Sequence, residues 1–140
     1  MANPTPALPI KEIDPDESVP RRIVWDRVAE DTESIWLRIL GLDPGTEESP
    51  SFSSVTLAFQ LEDSSRGSLE MSQAWDDEGA PVEAANVYGW IDVGSDDLPA
   101  GEHKAEVFLE SNETGNTITI PRRFPITIRV RRRAVPVGSL

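Results

Sequence analysis

Four carboxylate groups in this chain of 140 residues are the first places where a cation or an acid–base pair could sit: Asp14, Asp16 and Glu17; Glu47 and Glu48; Asp76, Asp77 and Glu78; and Asp92, Asp96 and Asp97. Calcium takes about six to eight oxygens from a preshaped loop, and none of the four carries the alternating Asp/Asn ladder closed by Gly and a later Glu. They read as solvated turn chemistry, which Asp favours. Hydrolysis of a glycoside needs two convergent carboxylates, and nothing in the pattern selects a pair from the 25 acids. His103 is the single histidine and Cys is absent, which removes disulfides, thiolate sites, multi-His metal sites and Cys nucleophiles. At the head of a strand, beside Lys104 and Glu106, His103 reads as an exposed surface residue. No G-x-S-x-G, Walker or dinucleotide glycine pattern occurs. The expectation is a protein without enzymatic activity, cofactor or metal.

Four tryptophans and eleven arginines remain. Trp25, Trp36, Trp75 and Trp90 suit core packing, yet Trp36 is out of phase with Ile35, Leu37 and Ile39, and Trp90 with Ile91. Both are therefore expected to face outward, where Trp is enriched at protein interfaces and is also used in sugar platforms. Residues 121–140 hold six arginines and no acid, so this region is +6 and residues 1–120 are −18. The net charge of −12 repels phosphate backbones and anionic lipid, so neither nucleic acid nor membrane is an expected partner. A basic tail and an acidic body instead favour a partner with an acidic face, including a second copy.

The elements that position these residues are strands. Val55, Leu57, Phe59 and Leu61 alternate with Thr56, Ala58, Gln60 and Glu62, and Phe124, Ile126, Ile128 and Val130 alternate with Pro125, Thr127, Arg129 and Arg131, a period of two that turns one face inward. These eight apolar residues are expected to share one core. Weaker alternations run through Ile35–Ile39, Leu69–Met71, Val87–Val93 and Ala105–Leu109, and with a strand at Ile23 and Trp25 the count is about seven. Asp-Pro-Gly, Ser-Ser-Arg-Gly, Asp-Asp-Glu-Gly and Leu-Pro-Ala-Gly segments punctuate them as turns. The fold class predicted is all-β, an antiparallel immunoglobulin-like β-sandwich over residues 21–133. Five prolines make residues 1–20 an extended arm, and 134–140 a short tail. Met1-Ala2-Asn3-Pro4-Thr5-Pro6 has neither the basic nor the apolar region of a secretory leader. No apolar run approaches the ~18 residues of a membrane span, so a reducing, aqueous setting is expected.

Lys11-Glu12-Ile13-Asp14-Pro15-Asp16-Glu17, Ile23-Val24-Trp25-Asp26 and Thr32-Glu33-Ser34-Ile35-Trp36 together resemble the opening of fibre-tail adaptor proteins of tailed phages. Asp43-Pro44-Gly45, the stretch Leu98-Pro99-Ala100-Gly101-Glu102-His103-Lys104-Ala105-Glu106-Val107 and the closing Phe124-Pro125-Ile126-Thr127-Ile128 resemble the immunoglobulin-like domain that begins phage baseplate upper proteins, where the middle stretch reads roughly L-P-x-G-x-Y-x-x-E-V. The resemblance spans most of residues 8–131; the middle, about 63–86, and the Arg-rich tail depart from it. It implies a structural component of a virion, made in the host bacterial cytoplasm, and brings no catalytic residues.

The expected role is an adaptor or decoration protein of the tail, fibre or head-tail region. Its partners would be other virion proteins (tail, fibre, portal-proximal or capsid) and further copies in a ring or lattice. Its assembly interface is expected at Pro9, Ile10 and Ile13 of the arm, at Trp36 and Trp90, and at Arg122, Arg123, Arg131, Arg132 and Arg133. The alternatives are a capsid decoration protein and a carbohydrate-binding module using Trp36 or Trp90. EDTA should leave the melting temperature unchanged; a shift of several degrees would revive the Asp92, Asp96 and Asp97 group as a cation site.

Overall fold

The computed structural model describes residues 10–14, 22–29, 31–62, 64–83, 85–92 and 98–134, with backbone alone at 32 and 90–92. All five prolines of the expected arm, Pro9 among them, lie outside the described residues. Within that segment the described part is not a free arm: Ile10–Ile13 is strand β1, and Ile13 is fully buried.

The fold is all-β. After β1 come β2 (Val24–Val28), β3 (Thr32–Ile39), β4 (Phe52–Gln60), β5 (Arg66–Gln73), β6 (Asn86–Asp92), β7 (Gly101–Ser111), β8 (Thr117–Ile120) and β9 (Ile126–Arg131). Two of them, β1 and β8, exceed the sequence expectation; four residues each are too few for a period to stand out. The strands form one sheet in the order β1-β3-β6-β5-β4-β7-β9-β2, with β8 beside β7. The sheet is mixed, which corrects the expected antiparallel arrangement: β1 runs parallel to β3, and β2 runs parallel to β9. The physical reason is that consecutive segments β1 and β2 go to opposite ends of the strand order, where each finds an open edge.

The sheet curls because β5 changes partner along its length. Arg66 to Met71 pair with β4, while Ser72 and Gln73 pair with β6. Gly89 allows the crossing, since a Cβ there would stand 2.9 Å from a Leu69 methyl. Curling brings the inward residues of both halves into one core, in which Ile35, Leu37, Ile39 and Val87 join Val55, Leu57, Phe59, Val107, Ile126 and Ile128. One ion pair spans the two halves near the sheet ends: Arg27 Nε of β2 lies 2.8 Å from Glu33 Oε2 of β3, a charge contact rather than an aligned hydrogen bond. Arg27 also stands over the ring of fully buried Trp25, at 5.6 Å.

Seven of the eight residues expected to share the core do so; Phe124 does not. It belongs to the bend after the cis Ile120–Pro121 bond, where the alternation of β9 has not begun, and it lies half-buried under Arg22 at 4.5 Å.

Phe59 and Gly67 form a fitted pair across β4 and β5, for a Cβ on Gly67 would fall 2.3 Å from the Phe59 ring. That ring is buried in the core and cannot swing away. Phe59→Ala should lose about 3 to 5 kcal/mol and Gly67→Ala about 1 to 3 kcal/mol. In urea titrations the double variant should be less destabilised than the sum, because removing the ring removes the clash; strict additivity would place the ring elsewhere.

Candidate assembly surface

The stretch that carries the baseplate-protein resemblance builds the corner that starts β7. Leu98 is fully buried and anchors the turn in the core. Gly101 has φ +138°, a backbone conformation that a side chain disfavours, and a Cβ there would also strike the Glu62 carboxylate. His103 is not the exposed residue expected: it is 1 % exposed. Its Nε2 lies 2.6 Å from the Pro99 carbonyl and its Nδ1 accepts the Glu62 N–H at 3.1 Å. A carbonyl can only accept and an N–H can only donate, so the ring is the neutral Nε2–H tautomer. Both nitrogens are committed to the backbone, which removes His103 from service as a general base. The Glu62 carboxylate in turn accepts the Glu102 N–H at 3.2 Å. The signal for burial was present in the phase, since His103 shares parity with Ala105, Val107 and Leu109, all buried.

The expected interface residues that are described do not gather into one surface. Trp36 does point away from the core side of β3, as its phase implied, but it is 2 % exposed rather than open. It stacks on Tyr88 of β6 with centroids 4.7 Å apart and donates Nε1–H to Ser34 Oγ at 3.2 Å. The half-buried Ile10 is its register partner on the other side. Such a ring is not offered as a flat sugar platform. Trp90 stands opposite Ser34 in the register, and its side chain lies outside the described residues. Ile13 is core.

The arginines are divided by β9. Arg122 and Arg123 lie exposed in the bend before it, whereas Arg131 and Arg132 lie exposed at its far end, separated by about 17 Å of strand. Arg133 is turned inward, 2.7 Å from Asp31. Arg129, on the same outer face, is held by both oxygens of Asp26, at 3.0 and 3.4 Å. The basic region is thus partly neutralised by the chain's own β2 and the turn that follows it. Among the described residues no group of three His, Cys, Asp or Glu side chains is disposed to hold a metal ion.

The sequence matches no protein-family model, and a search of the curated proteins also finds no match.

Phe108 was the residue overlooked. It alternates with buried Val107 and Leu109, faces outward on β7, and is the large apolar side chain left exposed among the described residues. An apolar residue in a polar phase was the available sign.

His103→Leu keeps the volume and leaves the Glu62 N–H and the Pro99 carbonyl without partners. Urea unfolding should show a loss of about 2 to 4 kcal/mol. A change within about 0.5 kcal/mol, normal for a surface position, would mean that the corner does not depend on this ring.

Proposed function

We propose that this protein is a non-enzymatic structural component of a tailed-phage virion, an adaptor or decoration protein of the tail, fibre or head-tail region, built as an immunoglobulin-like sandwich. The observation that carries the reading is the stretch from Leu98 to Val107. Five residues of this stretch coincide with the baseplate-protein pattern, and the corner gives work to four of them, Leu98, Pro99, Gly101 and Val107: a buried anchor, an accepting carbonyl, a turn and a core side chain; the fifth, Glu106, lies on the outer face of β7. His103 takes the place of the aromatic residue in that pattern and bonds back to Pro99. Support for the sandwich comes from the change of partner along β5, on either side of which lie β1, β3 and β6 and then β4, β7, β9 and β2, while the inward residues of both groups belong to one core.

In such a particle the exposed arginines are the contact groups, and they act as two sites. Arg122 with Arg123 and Arg131 with Arg132 each need an acidic neighbour, either another virion protein or another copy. Infection experiments with phage carrying Arg122→Ser/Arg123→Ser or Arg131→Ser/Arg132→Ser should show reduced incorporation for at least one pair, with the purified variants folded normally. Full incorporation of both would remove the arginines from the assembly role. Absence of the natural protein from purified particles would overturn the virion reading itself.

A further inference from the structure

The outer face of β5, β4 and β7 carries a pattern that is complementary to itself. Its rows follow from the register: Arg66, Gln60 and Lys104 form one; Ser68, Ala58 and Glu106 the next; Glu70, Thr56 and Phe108 the third. The first row is basic at both sides. The third holds a carboxylate at one side and the exposed Phe108, 36 % accessible, at the other. Between them lies Ala58, the smallest side chain of the face, beside a depression of about 340 Å³ that Phe108 borders. Arg66 is kept on this face by its Nε–H bond to Gln60 Oε1 at 3.2 Å. Lys104 is kept there by Thr127 Oγ1 at 3.0 Å and by an exposed ion pair with Glu102 at 3.3 Å. Glu70 is exposed and has no ion partner among the described residues.

We propose that this face packs against the same face of a second copy, about a twofold axis that lies across the strands through Ser68, Ala58 and Glu106. Such an axis reverses the strands and keeps β5 over β5 and β7 over β7. Residues two before the axis then meet residues two after it, about 7 Å along each strand. Arg66 of one copy faces Glu70 of the other, and Lys104 faces the ring of Phe108, a cation over an aromatic face. Ala58 faces Ala58, which lets the two sheets approach. The other in-plane twofold, along the strands, would put Arg66 over Lys104, Ser68 over Glu106 and Glu70 over Phe108, and so brings no opposite charges together.

Two kinds of contact are unfavourable in the chosen arrangement: Glu106 meets Glu106, and four residues from the axis on β7 Glu102 meets Glu110. The patch is also small, on the order of 15 by 20 Å, well under the ~800 Å² per partner of a standard interface. Both features make the dimer weak and make its charge dependence specific. The inference concerns the isolated chain in solution and does not rest on the virion reading.

Sedimentation equilibrium of the purified chain, up to about millimolar concentration, tests it. The natural protein should show reversible dimerisation. Glu106→Gln should tighten the dimer, whereas Glu70→Gln should weaken it about fivefold, although both remove one negative charge from a chain of net −12. Phe108→Ser should weaken it about tenfold or more. Arg66→Glu and Glu70→Arg should each be monomeric alone and should pair with one another when mixed. All four positions are on the outer face, so unchanged melting temperatures serve as the folding control. A monomer at every concentration would overturn the proposal. So would a dimer tightened equally by Glu70→Gln and Glu106→Gln, since general charge repulsion would then explain the association.

Discussion

The start of β7 is the constraint on which the rest of the sheet depends. This strand pairs with β4 on one side and with β9 and then β8 on the other. Any slip of its first residues would move both neighbours and turn every side chain to the wrong face. Two contacts oppose a slip, because Glu62 donates its N–H to His103 and accepts the Glu102 N–H on its carboxylate. The end of β4 and the start of β7 are thereby tied through both main chain and side chain. A histidine can do this where a purely apolar residue cannot. Its ring fills space in the core while satisfying one donor and one acceptor that the turn would otherwise bury unpaired.

Parity made much of this legible from sequence, and the departures came where parity alone was trusted too little or too much. The alternation of Val55 to Leu61 and of Ile126 to Val130 located the two clearest strands and their core faces. Reading His103 by residue type instead of phase put it in water, although Ala105, Val107 and Leu109 already marked its side as inward. Trp36 shows the converse. Its phase named the correct face of β3, but burial on that face is decided by Tyr88, which belongs to β6 and is distant in sequence. The parallel pairings of β1 and β2 were out of reach for a related reason: a short strand joins whichever edge is left open by strands far along the chain.

Charge follows the same division between local and distant. The arginines of the last twenty residues look like one basic tail when read along the chain. Folding lays six residues of β9 between Arg123 and Arg132, and it offers Asp26 to Arg129 and Asp31 to Arg133. The Arg129–Asp26 pair is exposed and contributes little to stability, whereas the Arg133–Asp31 pair is half-buried. Their effect is on what remains, since they leave two separate pairs of arginines in place of one extended patch.

Open strand edges would be the usual route for one β protein to add to another, and here most of the edges that the described residues define are blunted. β1 and β8 have only four residues each, and β8 runs directly into Pro121. β2 points a charged residue, Arg27, toward the core side, where Glu33 holds it. A strand added beside β2 would have to accommodate that ion pair on its own inner face. Copies that also repel through a net charge of −12 cannot rely on general stickiness either. Association between such molecules is left to faces on which charge is arranged locally and an apolar group stands clear of it. The outer side of β5, β4 and β7 meets that condition because the period of two that buries Val107 and Leu109 also forces Phe108 outward, between Glu106 and Glu110 and four residues from Lys104 on the same strand.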